Sequence, residues 1–225
     1  VHRVRHDRRL TARLAVAAFL IAVNWLVYIW AVNNDHVVDA ALGYFVNPIV
    51  TVLLGVVVLN EHLRRLQWVA VAAGVVAVGV LAVGYGKVPW IALVLASSFA
   101  GYGYIKKSVG PGLEAATSLW METALMLPLA LVALAGLGAT GRLTFADHGV
   151  DHAALLMSAG VVTAVPLLLF AAAARRIPLS LVGLLQYLTP VGQFLVGTLV
   201  NHEDIPPARL AGFAIVWVAL GLLTT

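Results

Sequence analysis

Cysteine is absent from this sequence of 225 residues. The absence excludes disulfides, thiolate metal sites and cysteine nucleophiles within the chain. Charged side chains are also scarce, at 11% of residues, whereas a typical soluble domain has roughly a quarter. Because 62% of the residues are hydrophobic, there is too little polar surface to cover a globule in water. The composition predicts a polytopic membrane protein, with the lipid bilayer as its surroundings.

Signatures of nucleotides, cofactors and nucleic acid are also missing. No Walker A sequence is present, so ATP-driven transport within this chain is unsupported, and we expect no cofactor. A pI of 9.7 could indicate a nucleic-acid partner, but the basic residues lie in short stretches between apolar runs, so none is expected. The loop DHGVDH at 147–152 holds two Asp–His pairs that could bind a metal. No other ligands cluster beside it, and we expect no metal site.

Eight apolar runs are each long enough for a membrane helix at about 1.5 Å rise per residue. They predict an all-α fold with eight transmembrane helices in this chain. The runs are Leu14–Val32, Val38–Leu59, Leu66–Tyr85, Val88–Tyr104, Leu119–Leu137, Ala153–Ala174, Leu179–Val200 and Ala208–Leu223.

The basic residues between the runs predict the orientation of the helices. With the N-terminal tail in the cytoplasm, eleven of the fourteen Lys and Arg residues fall on the cytoplasmic side. Only Lys87, Arg142 and Arg209 fall outside. This bias follows the positive-inside rule, and it predicts that both ends of the chain are cytoplasmic.

One stretch of the sequence occurs twice. Residues 41–61 read ALGYFVNPIVTVLLGVVVLNE, and residues 183–203 read GLLQYLTPVGQFLVGTLVNHE. A proline, a glycine and a glutamate that match in one ungapped frame indicate an internal repeat. At a shift of 142 residues, Pro48 matches Pro190, Gly55 matches Gly197 and Glu61 matches Glu203.

The two copies have opposite predicted orientations, because Glu61 falls in a cytoplasmic loop and Glu203 in an outside loop. Inverted repeats are characteristic of secondary transporters, whose substrate site lies near the membrane midplane between the halves. Residues 87–225 hold five predicted helices, whereas residues 1–86 hold three. We therefore expect a fragment that lacks the first two helices of a ten-helix, 5+5 inverted-repeat transporter fold.

Several stretches carry a likeness to a known family. They are NWLVYIWAVNN (24–34), LGYFVNP (42–48) and EHLRRLQW (61–68) in the first copy, and PLLLFAAAARRIP (166–178), LQYLTP (185–190) and Gln193–Phe194 in the second. With them the chain resembles the EamA family of the drug/metabolite transporter superfamily, and most closely its RarD group, named for chloramphenicol sensitivity. The resemblance implies the last three helices of a first EamA repeat over 1–86 and a complete second repeat over 87–225. It also implies a permease of the bacterial inner membrane, and it leaves the substrate open.

Glu122 is an ionisable residue inside the apolar run LWMETALMLP, about one turn from the start of a predicted span. Such a residue costs at least a few kcal/mol in a membrane helix and usually faces a cavity or a partner. A carboxyl there that gains and loses a proton would suit proton coupling, so Glu122 is our proton-coupling candidate. The alternative is an interfacial carboxylate, or one that is hydrogen-bonded to a neighbouring helix.

Other polar side chains in the runs are candidates for lining a substrate cavity. In lipid these groups must face the protein interior or water. Tyr44 and Asn47 are one turn apart beside Pro48, and their repeat equivalents Gln186 and Thr189 have the same spacing beside the second proline. Interhelical hydrogen bonding without a ligand is the alternative. The candidates are Asn24, Trp25, Tyr28, Tyr44, Asn47, Gln186, Thr189 and Gln193.

Pro48 and Pro190 are hinge candidates. Each proline removes one backbone hydrogen bond and frees a carbonyl one turn earlier. Because proline is tolerated in membrane helices, packing without a hinge is the alternative.

The function predicted from these features is a secondary transporter of small metabolites or drugs that works by alternating access, with proton coupling left open. A membrane-embedded enzyme is one alternative, but all seven histidines lie in tails and loops, and we expect no enzyme. A channel is the other alternative, although no repeated filter sequence is apparent. A small-molecule substrate is the expected partner, and a homodimer is kept open.

Overall fold

A computed structural model describes residues 7–34, 36–85, 89–110, 113–141 and 149–189, together with positions 143, 145, 192 and 195. Over these residues the fold is all-helical, without a strand. The helices are α1 Arg8–Asn33, α2 Val37–Leu59, α3 Arg65–Tyr85, α4 Trp90–Val109, α5 Ala115–Ala139, α6 Gly149–Arg176 and α7 Leu179–Leu185.

Each of the first six predicted runs corresponds to one of the helices α1 to α6, and α7 covers the start of the seventh run, most of which after position 189 lies outside the described residues. Several helices are longer than the runs that predicted them, since α4 continues to Val109 and α6 to Arg176. Their last turns carry pairs of basic residues, which interact favourably with the negative end of a helix dipole. The eighth run, Ala208–Leu223, lies outside the described residues.

Four helices are long and apolar enough to cross a membrane, namely α1, α2 (from Asp39), α5 and α6. Much of the surface of α5 and α6 is exposed and apolar, and Val132, Val150 and Val162 are each at least 70% exposed. Exposure on that scale suits lipid, which is as apolar as the side chains themselves. The chain is therefore a polytopic membrane protein.

The chain forms two compact units, whose boundaries fall inside α1 and α4. The first, called the α5–α6 unit, comprises Val1–Phe19 and Ile105–Arg176. In it α5 packs against α6. The buried residues of these two helices are Ser118, Glu122, Leu167, Ala171 and Ala174.

The second, called the α2–α7 unit, comprises Leu20–Tyr104 and Ile177–Thr225. Helix α2 lies at its centre, because separate apolar clusters join it to α3 and α7, to α4, and to α1. The largest cluster consists of Ile49, Val52, Ala70, Val71, Leu184 and Tyr187. The unit thus brings the two copies of the repeated stretch together, as far as the second copy is described.

Candidate functional site

Two glycines allow α2 and α7 to approach closely. A Cβ atom added to Gly183 on α7 would lie 3.0 Å from the carbonyl oxygen of Pro48 and 2.9 Å from a methyl of Val52. A Cβ atom added to Gly55 on α2 would lie 2.8 Å from the backbone nitrogen of Ser180. Close approach through small residues is the usual basis of helix contact in membranes.

Three polar side chains meet at this α2–α7 contact, and we call them the amide cluster: Asn47, Thr51 and Gln186. The Asn47 Nδ2 atom donates to Gln186 Oε1 at 3.0 Å. The Thr51 hydroxyl, which is fully buried, is 3.3 Å from the same oxygen and 3.4 Å from Asn47 Oδ1. The cluster therefore links the two copies of the repeat through neutral side chains beside Pro48.

The amide cluster has unused donors. The Gln186 Nε2 atom is buried and has no hydrogen-bond partner among the described residues, and the same holds for the Tyr187 hydroxyl. The Tyr187 hydroxyl lies over Gly74 of α3, where a Cβ atom would overlap it. A buried donor without a partner costs about 1–3 kcal/mol of stability. Such a donor in a native fold therefore calls for an explanation, and ligand binding is one.

Pro48 is fully buried in α2 at the level of the amide cluster. As a proline it cannot donate to the carbonyl of Tyr44, which loses its helical partner. The α2 helix nevertheless continues unbroken from Val37 to Leu59. Pro190, the other hinge candidate, lies outside the described residues.

The remaining candidates for the cavity are placed differently. Asn24 donates its amide to the Leu95 carbonyl oxygen at 2.8 Å and to the Ser98 hydroxyl at 3.0 Å, so it joins α1 to α4. The rings of Tyr28 and Tyr44 meet edge to face with centroids 6.3 Å apart. Trp25 is 43% exposed.

Beyond the end of α7, Thr189 is exposed, and its backbone N–H donates to the Gln186 carbonyl oxygen. Gln193 lies outside the described residues. Of the eight cavity candidates, the structure thus brings Asn47 into contact with Gln186 and Tyr28 into contact with Tyr44. It adds Thr51, which the sequence reasoning missed, although its position one turn after Asn47 on the same helix face was a usable signal.

Glu122 has two polar partners within the α5–α6 unit. It forms a hydrogen-bonded ion pair with Lys106 of α4, and it accepts a hydrogen bond from the Ser118 hydroxyl at 2.9 Å. Lys106 also donates to Ser118 at 2.8 Å. All three side chains are at least 98% buried. We call the contact between Lys106 and Glu122 the α4–α5 ion pair. Its geometry suits both an interhelical link and a proton-coupling site.

A second carboxylate occupies a special position in the α2–α7 unit. Glu61, which follows α2, accepts the backbone N–H of Leu179 through Oε1 at 2.7 Å and that of Ser180 through Oε2 at 2.8 Å. The sequence reasoning used Glu61 only as a marker of the repeat. Its match with Glu203 was the signal that it does more than end a loop.

The amide cluster can offer hydrogen bonds to a ligand but no charge. Within the described residues, no group of three His, Asp or Glu side chains is placed to hold a metal ion. Asp151 and His152 of the candidate metal loop begin α6, whereas residues 147 and 148 lie outside the described residues. The arrangement suits recognition of a small polar molecule.

The chain was compared with known proteins. The sequence profile of the EamA-like transporter family matches residues 2–83. "Protein RarD" of Streptomyces exfoliatus is 57% identical over 222 residues, which are 98% of this chain and 69% of the relative. An "Uncharacterized transporter" of Vibrio cholerae is 42% identical, with 96% of this chain and 71% of the relative covered. "Protein RarD" of Escherichia coli K12 is also 42% identical, at 93% and 70%.

The matches to these three relatives extend over 93–98% of the chain at identities at which a shared fold is secure. They agree with the apolar, all-helical architecture and with the resemblance carried by the repeat motifs. The chain therefore belongs to the EamA-like transporter family, as a RarD-like membrane transporter of the drug/metabolite class.

Proposed function

We propose that this chain is the larger part of a secondary transporter of small metabolites or drugs that works by alternating access. The amide cluster carries the proposal, because it joins α2 and α7, the two copies of the repeated stretch, through polar side chains with donors to spare. In inverted-repeat transporters the substrate site lies at such an interface between repeats. The cluster would form one wall of the site.

The starts of the two helices support the internal repeat on which the proposed inverted 5+5 fold, with eight helices in this chain, is based. Helix α2 begins at Val37 and α7 at Leu179, which are 142 positions apart. That is the shift at which Pro48, Gly55 and Glu61 match their counterparts in the second copy. The register found in the sequence is thus also the register of helix initiation.

Contacts between connecting segments support the proposed orientation, with the C-terminus in the cytoplasm of a bacterial cell. Arg13 donates to the Ser108 carbonyl at 3.1 Å, and Arg175 donates to the Leu113 carbonyl. Glu61 contacts the start of α7. Each contact joins two segments that the positive-inside rule assigns to the cytoplasm.

The chemistry of the amide cluster favours an uncharged or zwitterionic substrate with a hydrogen-bond acceptor. The Gln186 Nε2 atom supplies donors, and the cluster contains no side chain of either charge. The α4–α5 ion pair holds the one carboxylate proposed for proton coupling, Glu122. If protons drive transport, that pair must open when Glu122 is protonated.

The test uses the complete reading frame in proteoliposomes that contain a pH-sensitive dye, with a mixed library of small metabolites outside. We expect saturable uptake that falls at least tenfold in Asn47→Leu. The matched control is Asn33→Leu, because Asn33 is an exposed amide that contacts only the Ile29 carbonyl of its own helix.

Each outcome of this test has a distinct meaning. Saturable uptake that Asn47→Leu leaves unchanged would remove the amide cluster from the site. Flux that does not saturate would indicate a channel, and a chemically altered library compound would indicate an enzyme. A pH signal lost in Glu122→Gln while saturable uptake persists would assign proton coupling to Glu122, and saturable uptake without a pH signal in the wild type would withdraw that role.

A further inference from the structure

Glu61 binds the first turn of α7 with both carboxylate oxygens. Oε1 accepts the N–H of Leu179 at 2.7 Å, and Oε2 accepts the N–H of Ser180 at 2.8 Å. Hydrogen bonds to an ionised acceptor are shorter and about twice as strong as neutral ones. We call this paired contact the Glu61 clamp.

The clamp replaces a cap that α7 cannot make for itself. The N-cap residue is Pro178, which has no side-chain oxygen and makes no side-chain cap bond. The first N–H groups of any helix have no partner within the helix. The partner here comes from the loop after α2, 118 residues earlier in the chain.

The clamp can open without unfolding either helix. Leu179 and Ser180 donate to Glu61 and not to the intrahelical ladder, which begins where Val182 donates to the Pro178 carbonyl. Glu61 lies beyond the end of α2 at Leu59. Release would therefore cost two side-chain contacts while the backbone bonds of α2 and α7 remain.

The clamp also joins the two repeats at one membrane side. The loop after α2 and the α6–α7 junction are both assigned to the cytoplasm by their basic residues. In an alternating-access cycle, contacts between repeats on one side must break when that side opens. Gly55 lets the start of α7 lie directly on α2, so the two helices are in contact at the level of the clamp.

We propose that the Glu61 clamp is a latch that holds the cytoplasmic ends of α2 and α7 together and releases when the transporter opens to the cytoplasm. The proposal rests on the alternating-access function proposed above. It assigns Glu61 a role in the cycle beyond helix capping, and it gives that role to one side of the membrane.

Labelling of a single cysteine tests the latch, since this chain contains none and any cysteine elsewhere in the complete protein is first replaced by serine. Ser180→Cys keeps the backbone N–H that Glu61 binds, and Ser180 is only 4% exposed. A membrane-impermeant maleimide is applied to inside-out vesicles that carry the complete protein. We expect Glu61→Gln to accelerate labelling at position 180 at least tenfold. Glu114→Gln is the matched control, because Glu114 is exposed and makes no side-chain cap bond.

A rescue variant separates a latch from a helix cap. Pro178→Ser supplies a local N-cap hydroxyl but no connection to the loop after α2. In Glu61→Gln with Pro178→Ser, a latch predicts that thermal stability recovers while labelling stays fast. If labelling returns to the slow rate, or if Glu61→Gln alone never accelerates it, the latch is refuted. If Glu61→Gln does not fold by itself, the comparison is made between the double variant and Pro178→Ser.

Labelling requires no substrate, so this result is independent of the uptake assay. Fast labelling together with no uptake of any library compound would refute the transport proposal for those compounds and leave the latch standing. Uptake together with unchanged labelling would refute the latch and leave the transport proposal standing.

Discussion

The α4–α5 ion pair makes the sharpest prediction about stability. Lys106, Ser118 and Glu122 are 0%, 1% and 2% exposed, so removing one charged side chain takes the ion-pair contact away from the other while that one stays buried. Such a change costs about 3–5 kcal/mol. We expect Glu122→Met and Lys106→Met each to lower the free energy of unfolding by about that amount.

The double variant Lys106→Met with Glu122→Met should behave very differently. Replacing a buried ion pair by apolar side chains of similar volume is often neutral or stabilising. We therefore expect the double variant to lie within about 1 kcal/mol of the wild type. The coupling between the two sites would then be several kcal/mol, well above the additivity error of about 0.3–0.5 kcal/mol for independent sites.

Circular dichroism on heating in detergent measures these effects. A cost of about 3–5 kcal/mol corresponds to a fall in Tm of about 6–20 °C for a chain of this size. Glu114→Gln, an exposed carboxylate at the start of the same helix, should leave Tm unchanged. The reasoning is refuted if a single variant melts with the wild type, or if the loss in the double variant equals the sum of the single losses.

Three further variants test the packing of the α2–α7 unit through the free energy of unfolding. Gly183→Ala should cost about 1–3 kcal/mol, because its methyl would meet α2 at 2.9–3.0 Å. The control Gly160→Ala, whose methyl would have nothing within 4 Å, should not destabilise the protein. Equal losses in the two variants would contradict the close approach of α2 and α7. Asn24→Leu should cost about 0.6–1.7 kcal/mol, since its amide makes two hydrogen bonds to α4; full stability would argue against those bonds. Tyr187→Phe should be neutral or stabilising by about 1 kcal/mol. It should also reduce the cost of Gly74→Ala, whose methyl would overlap the Tyr187 hydroxyl. A clear loss of stability in Tyr187→Phe alone would indicate that the hydroxyl has a partner.

Hydropathy and charge predicted the helices well, because a bilayer leaves few alternatives for a backbone that must satisfy its own hydrogen bonds. The repeat predicted which stretches matter, and α2 and α7 meet at the amide cluster. What the sequence could not give was the side-chain pairing within that contact. Asn47 bonds to Gln186 and not to the residue matched with it in the repeat, Thr189.

Glu122 illustrates a different limit of sequence reasoning. Hydropathy ends the preceding apolar run at Tyr104 and assigns Lys106 to a loop, so the sequence does not predict the contact between Lys106 and Glu122. In the structure α4 continues for another turn, and Lys106 is buried against Glu122. Hydropathy marks where the apolar residues of α4 end, but the helical backbone continues to Val109. This last turn places Lys106 against the Glu122 carboxylate.

The distance along the chain between Glu61 and α7 also fixes an order of events during biosynthesis. At about 5–20 residues per second, the 118 residues from Glu61 to Leu179 take roughly 6–24 s to translate. The acceptor for the first turn of α7 is thus made well before that turn leaves the ribosome. Because Pro178 offers no cap of its own, α7 completes its N-terminus only by docking on helices that are already inserted, which favours assembly of the repeats in the order in which they are translated.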